Sequence, residues 1–268
     1  MPRTQSVAPN AAGASLLAAG EAAAVTVEQA DGASDFFFTC DHADARLPQR
    51  LGTLGLSDTQ LGSHIAYDIG AAGVARVLAA RLDATLVLQN YSRLVIDCNR
   101  PLQAPDSIAR RSEWTQIDGN EHLDDDDIAA RTAEIFTPYH DTLADLLDAR
   151  QRARRRTLLV SIHSFTPTYR GDARPWHVGV MYQHDKRIAD VLLQLLRRDE
   201  RLVIGDNEPY AVTDDTDYTL PHHGQARGLP HVGLEIRQDL IADDAGQKTW
   251  GGRLASLFKQ ASTQLAGS

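Results

Sequence analysis

The chain is 268 residues long, 24% charged and 43% hydrophobic, with a formal net charge of -9. No apolar run approaches the roughly 18 residues of a membrane span, and an acidic chain lacks the basic face that a nucleic-acid backbone requires. These totals describe a globular protein with neither a membrane nor a nucleic acid as partner, of a size ordinary for one α/β domain.

Residues 1–24 are rich in Ala and Gly and read as a tail or short helix preceding a folded unit over 25–268. Val25 to Glu28 reads as a short edge strand, and the run Asp35-Phe-Phe-Phe-Thr-Cys40 as a buried one. That run leads into Asp41-His42-Ala-Asp44, a histidine with carboxylates beside it. Apolar residues at helical spacing over 71–82 predict a helix, with Asp68 near its start, where a carboxylate would offset the helix dipole. Ala84 to Gln89 reads as a strand. Ser92-Arg93-Leu-Val-Ile-Asp97-Cys-Asn99-Arg100 reads as another, ending in polar groups that can grip a carboxylate.

Pro105 to Asn120 reads as a loop suited to cover strand ends. The acidic run Asp124 to Asp127 resembles a helix N-terminus, and a further helix carries Leu143, Leu146 and Leu147 on one face. Its arginine-rich end, Arg150 to Arg156, is expected to be solvated. Thr157-Leu-Leu-Val-Ser-Ile-His163-Ser-Phe-Thr-Pro167 has no charge before its histidine and reads as a central strand buried on both faces. Ligands of open α/β sheets gather at the carboxyl ends of strands, so His163 is a candidate site residue as well as a candidate packing residue. A strand over 177–182, an amphipathic helix over 185–198, a strand over 202–205, a loop holding His222 and His223, and a strand over 230–239 follow. Glu235 and Arg237 share one face of that last strand by period-two alternation. A helix begins near Ile241. Cys40 and Cys98 read as buried residues of a reducing compartment, with a cytoplasmic location expected.

A catalytic zinc takes three ligands from His and carboxylate and leaves one position for water. Two strand-end histidines, nearby carboxylates and a late strand glutamate supply the residue types for a zinc hydrolase. Cys40-Asp-His42-Ala, His64-Ile-Ala-Tyr-Asp68-Ile-Gly-Ala, Ser92 to Arg100, Ser161-Ile-His163-Ser-Phe-Thr-Pro, Gly205-Asp-Asn-Glu-Pro-Tyr210 and Glu235-Ile-Arg237-Gln-Asp-Leu together resemble the N-formylglutamate amidohydrolase family over about residues 35 to 260.

The resemblance implies a single α/β domain with a mixed, mostly parallel sheet flanked by helices on both faces, similar to the zinc carboxypeptidases. It also implies Zn2+ bound by His42, His163 and a carboxylate. Those enzymes place a zinc glutamate three residues after the first histidine, where this chain has Ala45. Asp68 is the expected replacement and Asp44 the alternative. The remaining roles implied are Glu235 as proton carrier, Asn99 and Arg100 as holders of a substrate carboxylate, and Arg93 or Arg237 as oxyanion or orienting groups. The expected partner is a small N-acyl amino acid. A zinc peptidase or cell-wall amidase of the same fold, and a ligand-binding member without catalysis, are the competing readings.

Overall fold

The computed structural model describes residues 15–266. Its centre is a seven-stranded sheet built from β1 (Val25–Glu28), β2 (Phe36–Cys40), β3 (Thr85–Gln89), β6 (Leu158–Phe165), β9 (Val178–Met181), β10 (Ile204–Asp206) and β11 (His231–Arg237), in the order β1-β3-β2-β6-β11-β9-β10. Strands β3, β2, β6 and β11 run parallel, while β1 and β9 oppose their neighbours β3 and β11. Two small hairpins stand outside the sheet: β4 (Arg111–Ser112) with β5 (Thr115–Gln116), and β7 (Thr168–Tyr169) with β8 (Asp172–Ala173).

Strands β2, β3 and β6 are buried along their whole length because helices cover both faces. On one face α2 (Ala71–Leu82), α5 (Arg187–Leu196) and α6 (Asp244–Ala266) meet Phe38, Leu86, Val160, Ile162, Val180 and Leu234. On the other, α4 (Thr137–Arg152) places Tyr139, Leu143 and Leu147 against Phe37, Val87 and Leu159. Alternation along β6 therefore turns Ser161 and His163 towards the α4 side with Leu159. The same rule turns Glu235 of β11 that way, since its neighbours Leu234 and Ile236 belong to the opposite cluster. Two further short helices are α1 (Asp58–Leu61) and α3 (Asp125–Arg131). In α3 the Asp124 carboxylate accepts from the Asp127 amide at 2.8 Å, the N-terminal arrangement expected of the acidic run.

Two expectations are corrected. Residues 92–100, buried apart from the partly exposed Arg93 and Arg100, form successive turns instead of a strand. The Ser92 hydroxyl accepts from the Leu94 amide at 3.1 Å, and the Asp97 carboxylate accepts from the Asn99 amide at 2.9 Å. Side chains that bond their own backbone two residues on bend it away from a ladder. The basic end of α4 is also not wholly solvated. Arg150 is buried, and its guanidinium donates to the carbonyls of Ser34, Asp35 and Arg156 and to the Thr157 hydroxyl. It thereby clamps the chain entering β2 and β6 to the helix. Of the expected N-terminal tail or short helix, residues 1–14 lie outside the described residues. Residues 15–24 run as turns and coil, with Leu16 and Ala24 buried.

Gly70 stands between the end of β2 and α2 with φ of 79°, and a Cβ there would lie 2.0 Å from the Ile241 carbonyl oxygen. Only glycine suits both demands. Gly70→Ala is expected to lower unfolding stability by about 2–3 kcal/mol, measured by urea denaturation.

Candidate metal centre

Parallel strands end at one edge of a sheet, and this edge opens on a cavity of about 700 Å³. His42 follows the end of β2, His163 lies near the end of β6, and Glu235 is the register partner of His163 on β11. Asp68 arrives from the loop before α2. Its amide donates to the His42 carbonyl at 3.0 Å, and its Oδ2 accepts from the Ser164 amide at 3.2 Å. These two backbone bonds suspend the carboxylate between the ends of β2 and β6, so it does not cap α2 as the sequence position suggests.

The Asp68 Oδ2 lies 2.8 Å from His163 Nδ1 and 3.4 Å from His42 Nδ1. All three groups are buried, with one donor atom from each within 4.8 Å of the others. An ion held tetrahedrally at about 2.0–2.1 Å sets its donors about 3.4 Å apart, so this spacing is compatible with a shared cation. Asp44, the alternative carboxylate, stands apart from the cluster, half-exposed and paired with Arg46.

The opposite nitrogen of each imidazole also meets a carboxylate. His42 Nε2 is 2.7 Å from Asp97 Oδ1. His163 Nε2 is 3.2 Å from Asp41 Oδ2 and 2.8 Å from the Ser161 hydroxyl. Metal-ligating histidines are characteristically backed in this way, which orients the ring and raises its basicity. Asp41 is buried and accepts from the hydroxyls of Tyr139, Thr219 and Ser161 as well. Asp97 accepts from Arg93 at 2.6 Å, and the same guanidinium reaches Asp68 at 3.7 Å.

Electrostatics follow from this pairing. Burial opposes charge on both histidines, and Arg93 also opposes it on His42. Asp97 and Asp68 outweigh these effects at His42, and Asp41 and Asp68 do so at His163, so both imidazoles are raised above their ordinary value. The same contacts hold Asp41, Asp68 and Asp97 well below the usual carboxylate range despite burial. Glu235 is different. Its Oε2 is buried with no hydrogen-bond partner among the described residues, and burial pushes the carboxyl up to about 8.

The structure brings His42, Asp68, His163, Glu235, Arg93, Asn99 and Arg100 to one cavity. It leaves Arg237 outside, with its guanidinium on Asp239 and on the carbonyls of Pro175 and Trp176. Asn99 lines the wall but spends its amide on the loop opposite, donating to Asp217 and accepting from the amides of Tyr218 and Thr219. Arg100 binds Asp106 through Nε. The backing roles of Asp41 and Asp97 had no signal in the sequence beyond their nearness to His42 and Arg93.

Fold and site together define an α/β protein with a candidate His/Asp/His metal centre at the carboxyl ends of its parallel strands. The profile of the N-formylglutamate amidohydrolase family matches residues 34–242, and the chain belongs to that family. The fold superposes on a gene product from Agrobacterium tumefaciens with a TM-score of 0.90 and 40% identity, over 94% of this chain and 99% of that one. It superposes on N-formylglutamate amidohydrolase from Ralstonia eutropha with a TM-score of 0.68 and 16% identity, over 92% of this chain and 100% of that one. No curated protein matches the chain. Membership places the protein among hydrolases and implies a small-molecule substrate. No helix among the described residues is long and apolar enough to cross a membrane.

Two outcomes are expected. Asp97→Asn and Asp41→Asn should each weaken binding of a divalent cation at the His42, Asp68 and His163 set about 10- to 100-fold, measured with added zinc as the probe in competition with a chelating dye. The second concerns pH. The stabilisation from the raised imidazoles is complete below about pH 6.5 and is lost as pH rises through their folded values, whereas a metal must displace those protons and gains affinity over the same rise. The unfolding free-energy gap between protein with an added divalent cation and chelated protein, measured by denaturant titration, should therefore widen from about pH 6 to about pH 8, by up to about 1.4 kcal/mol per pH unit for each proton displaced.

Proposed function

We propose that the protein is a zinc-dependent amidohydrolase that cleaves the amide bond of a small N-acyl amino acid of the N-formylglutamate kind. The observation that carries this reading is the partnerless carboxyl oxygen of Glu235, buried beside the His42, Asp68 and His163 set in a cavity at the strand ends. A buried polar atom without a partner costs free energy, and a reacting water is a partner that would satisfy it.

His42, Asp68 and His163 would hold the ion, and two imidazoles with one carboxylate are a donor set suited to catalytic zinc. When bound, zinc supplies Lewis-acid polarisation of the amide carbonyl and lowers the pKa of a water. Glu235 takes the proton of the attacking water on its carboxylate and returns it to the amide nitrogen as the C–N bond breaks, releasing a carboxylic acid and a free amino acid. Its carboxyl must be ionised to begin. Burial raises it, while the positive groups near it, His163, His42 and Arg93, act to lower it, and a divalent cation at the triad acts in the same direction.

Arg93 is held by Asp97 and Asp68 with its charge directed to the reaction centre, where it stabilises the oxyanion. Arg100 fixes a substrate carboxylate, and Asn99 supports it indirectly by holding the 217–219 loop. Arg237 has no chemical part in this scheme and anchors the end of β11. Both cysteines are free and buried, which suits the cytoplasm.

Turnover of N-formylglutamate, assayed beside metal analysis, tests the reading. Glu235→Gln should lower kcat by about 10²–10⁴-fold while the zinc content stays that of the parent. Unchanged turnover in that variant, or full activity after chelation, would overturn the assignment.

A further inference from the structure

A ladder of rings and guanidiniums runs along the cavity mouth. The Arg170 guanidinium lies 5.8 Å from the Trp114 ring and 5.2 Å from the Tyr169 ring. The Arg174 guanidinium lies 4.6 Å from that same Tyr169 ring and 4.8 Å from the Tyr210 ring, and it donates to the Tyr210 hydroxyl at 2.8 Å. Ring and cation thus alternate from Trp114 to Tyr210. Neither arginine has a carboxylate within ion-pair distance among the described residues, so the rings are what hold them.

Three separate pieces of chain meet in this ladder. Trp114 stands at the turn of the β4–β5 hairpin, Tyr169 and Arg170 belong to the β7–β8 hairpin, and Tyr210 ends the loop that follows β10. The β10 loop is fixed to the sheet. Its Asn207 amide donates to the Val180 carbonyl at 3.0 Å, its Asn207 side chain accepts from the Tyr182 amide at 2.9 Å, and a Cβ at Gly205 would lie 2.0 Å from the Glu208 carbonyl oxygen. The two hairpins are held far less. Each has strands of two residues, too short to be stable alone, and no hydrogen bond joins one hairpin to the other among the described residues. Apart from the ladder, the turn of the first is tied by Glu113 Oε1, 3.2 Å from His64 Nε2.

Ser112, Glu113, Tyr169 and Arg170 line the cavity that holds the candidate metal ligands. Trp114 is 72% exposed and belongs to none of the buried clusters, so its contact with Arg170 serves the mouth and not the core. We propose that the two hairpins form a gate over the metal centre, latched where the Trp114 ring meets Arg170. An exposed contact of ring and cation is weak, which suits a latch that must open and close without unfolding the strands beneath it.

The test follows zinc as a probe. Its uptake by chelated protein and its release to excess chelator are timed by stopped flow in the parent, Trp114→Ala and Trp114→Phe, all of which keep the charge of Arg170. A gate that favours neither the free nor the loaded protein alters both rates by one factor and leaves affinity alone. Trp114→Ala should speed uptake and release alike by about two- to fivefold, the population change one such contact supports, while Trp114→Phe stays near the parent. Unchanged rates in Trp114→Ala, or a change in only one of them, overturn the proposal. Melting temperatures should match the parent, since Trp114 packs in no core cluster. If the parent takes up no zinc, the metal reading fails and tryptic cleavage after Arg170 decides. Cleavage about two- to fivefold faster in Trp114→Ala supports the latch, and an equal rate overturns it.

Discussion

The Asp68 carboxylate, shared between His42 and His163, is the constraint on which the rest of this site depends. A buried anion is tolerated only where donors replace its lost water, and here the donors come from the ends of two parallel strands. Carried outward, the same logic recruits Asp97 behind His42, Asp41 behind His163, and Arg93 across Asp68 and Asp97. Three carboxylates, one guanidinium and two imidazoles whose charged forms those carboxylates favour thus offset one another within the buried cluster.

Pairing also explains why Glu235 differs from its neighbours. The other acids of the cluster have been given cations or hydroxyls, and Glu235 has been given burial and an unsatisfied oxygen. Neighbouring carboxylates of one site are thus pushed in opposite directions, Asp41, Asp68 and Asp97 below the usual carboxylate range and Glu235 above it. The division originates in backbone geometry. The register of β11 with β6 sets Glu235 beside His163 on the sheet face that α4 covers further along.

The cavity mouth is built differently from its floor. The floor consists of strand ends, where position is set by a cooperative ladder, and the rim consists of short hairpins and turns held by side-chain contacts such as Arg100 on Asp106 and Arg170 over Trp114. Rigid strand ends suit a reaction whose atoms must be placed closely, and lightly anchored rims are where substrate preference can vary without disturbing the chemistry. A second buried pair, His140 and His223, joins the two parts. His140 bonds the Cys98 carbonyl and His223 bonds His140, fixing the turn that presents Asn99 and Arg100.

Periodicity along the chain was enough to recognise the strands over 36–40, 85–89, 158–165 and 231–237 and the helices that cover them, because burial on a face repeats at a spacing set by local geometry. His42 and His163 were legible as strand-end residues, and Glu235 as a residue of a late strand sharing a face with Arg237, for the same reason. Local pattern could not decide between Asp68 and Asp44, since the nearer carboxylate in sequence is the farther one in space, turned out to Arg46. It misread residues 92–100 as a strand, because side-chain bonds to the local backbone compete with a ladder whose partner must come from elsewhere. Arg150, Asp97 and Arg237 show the same limit: whether a charged residue is solvated, backs a ligand or ties down a strand end depends on which distant groups surround it. By itself the sequence determined the regular form of the segments whose burial repeats with a local period, the sheet strands and their covering helices. Only the tertiary structure decided which charges meet, because pairing depends on distances between segments that share no local period.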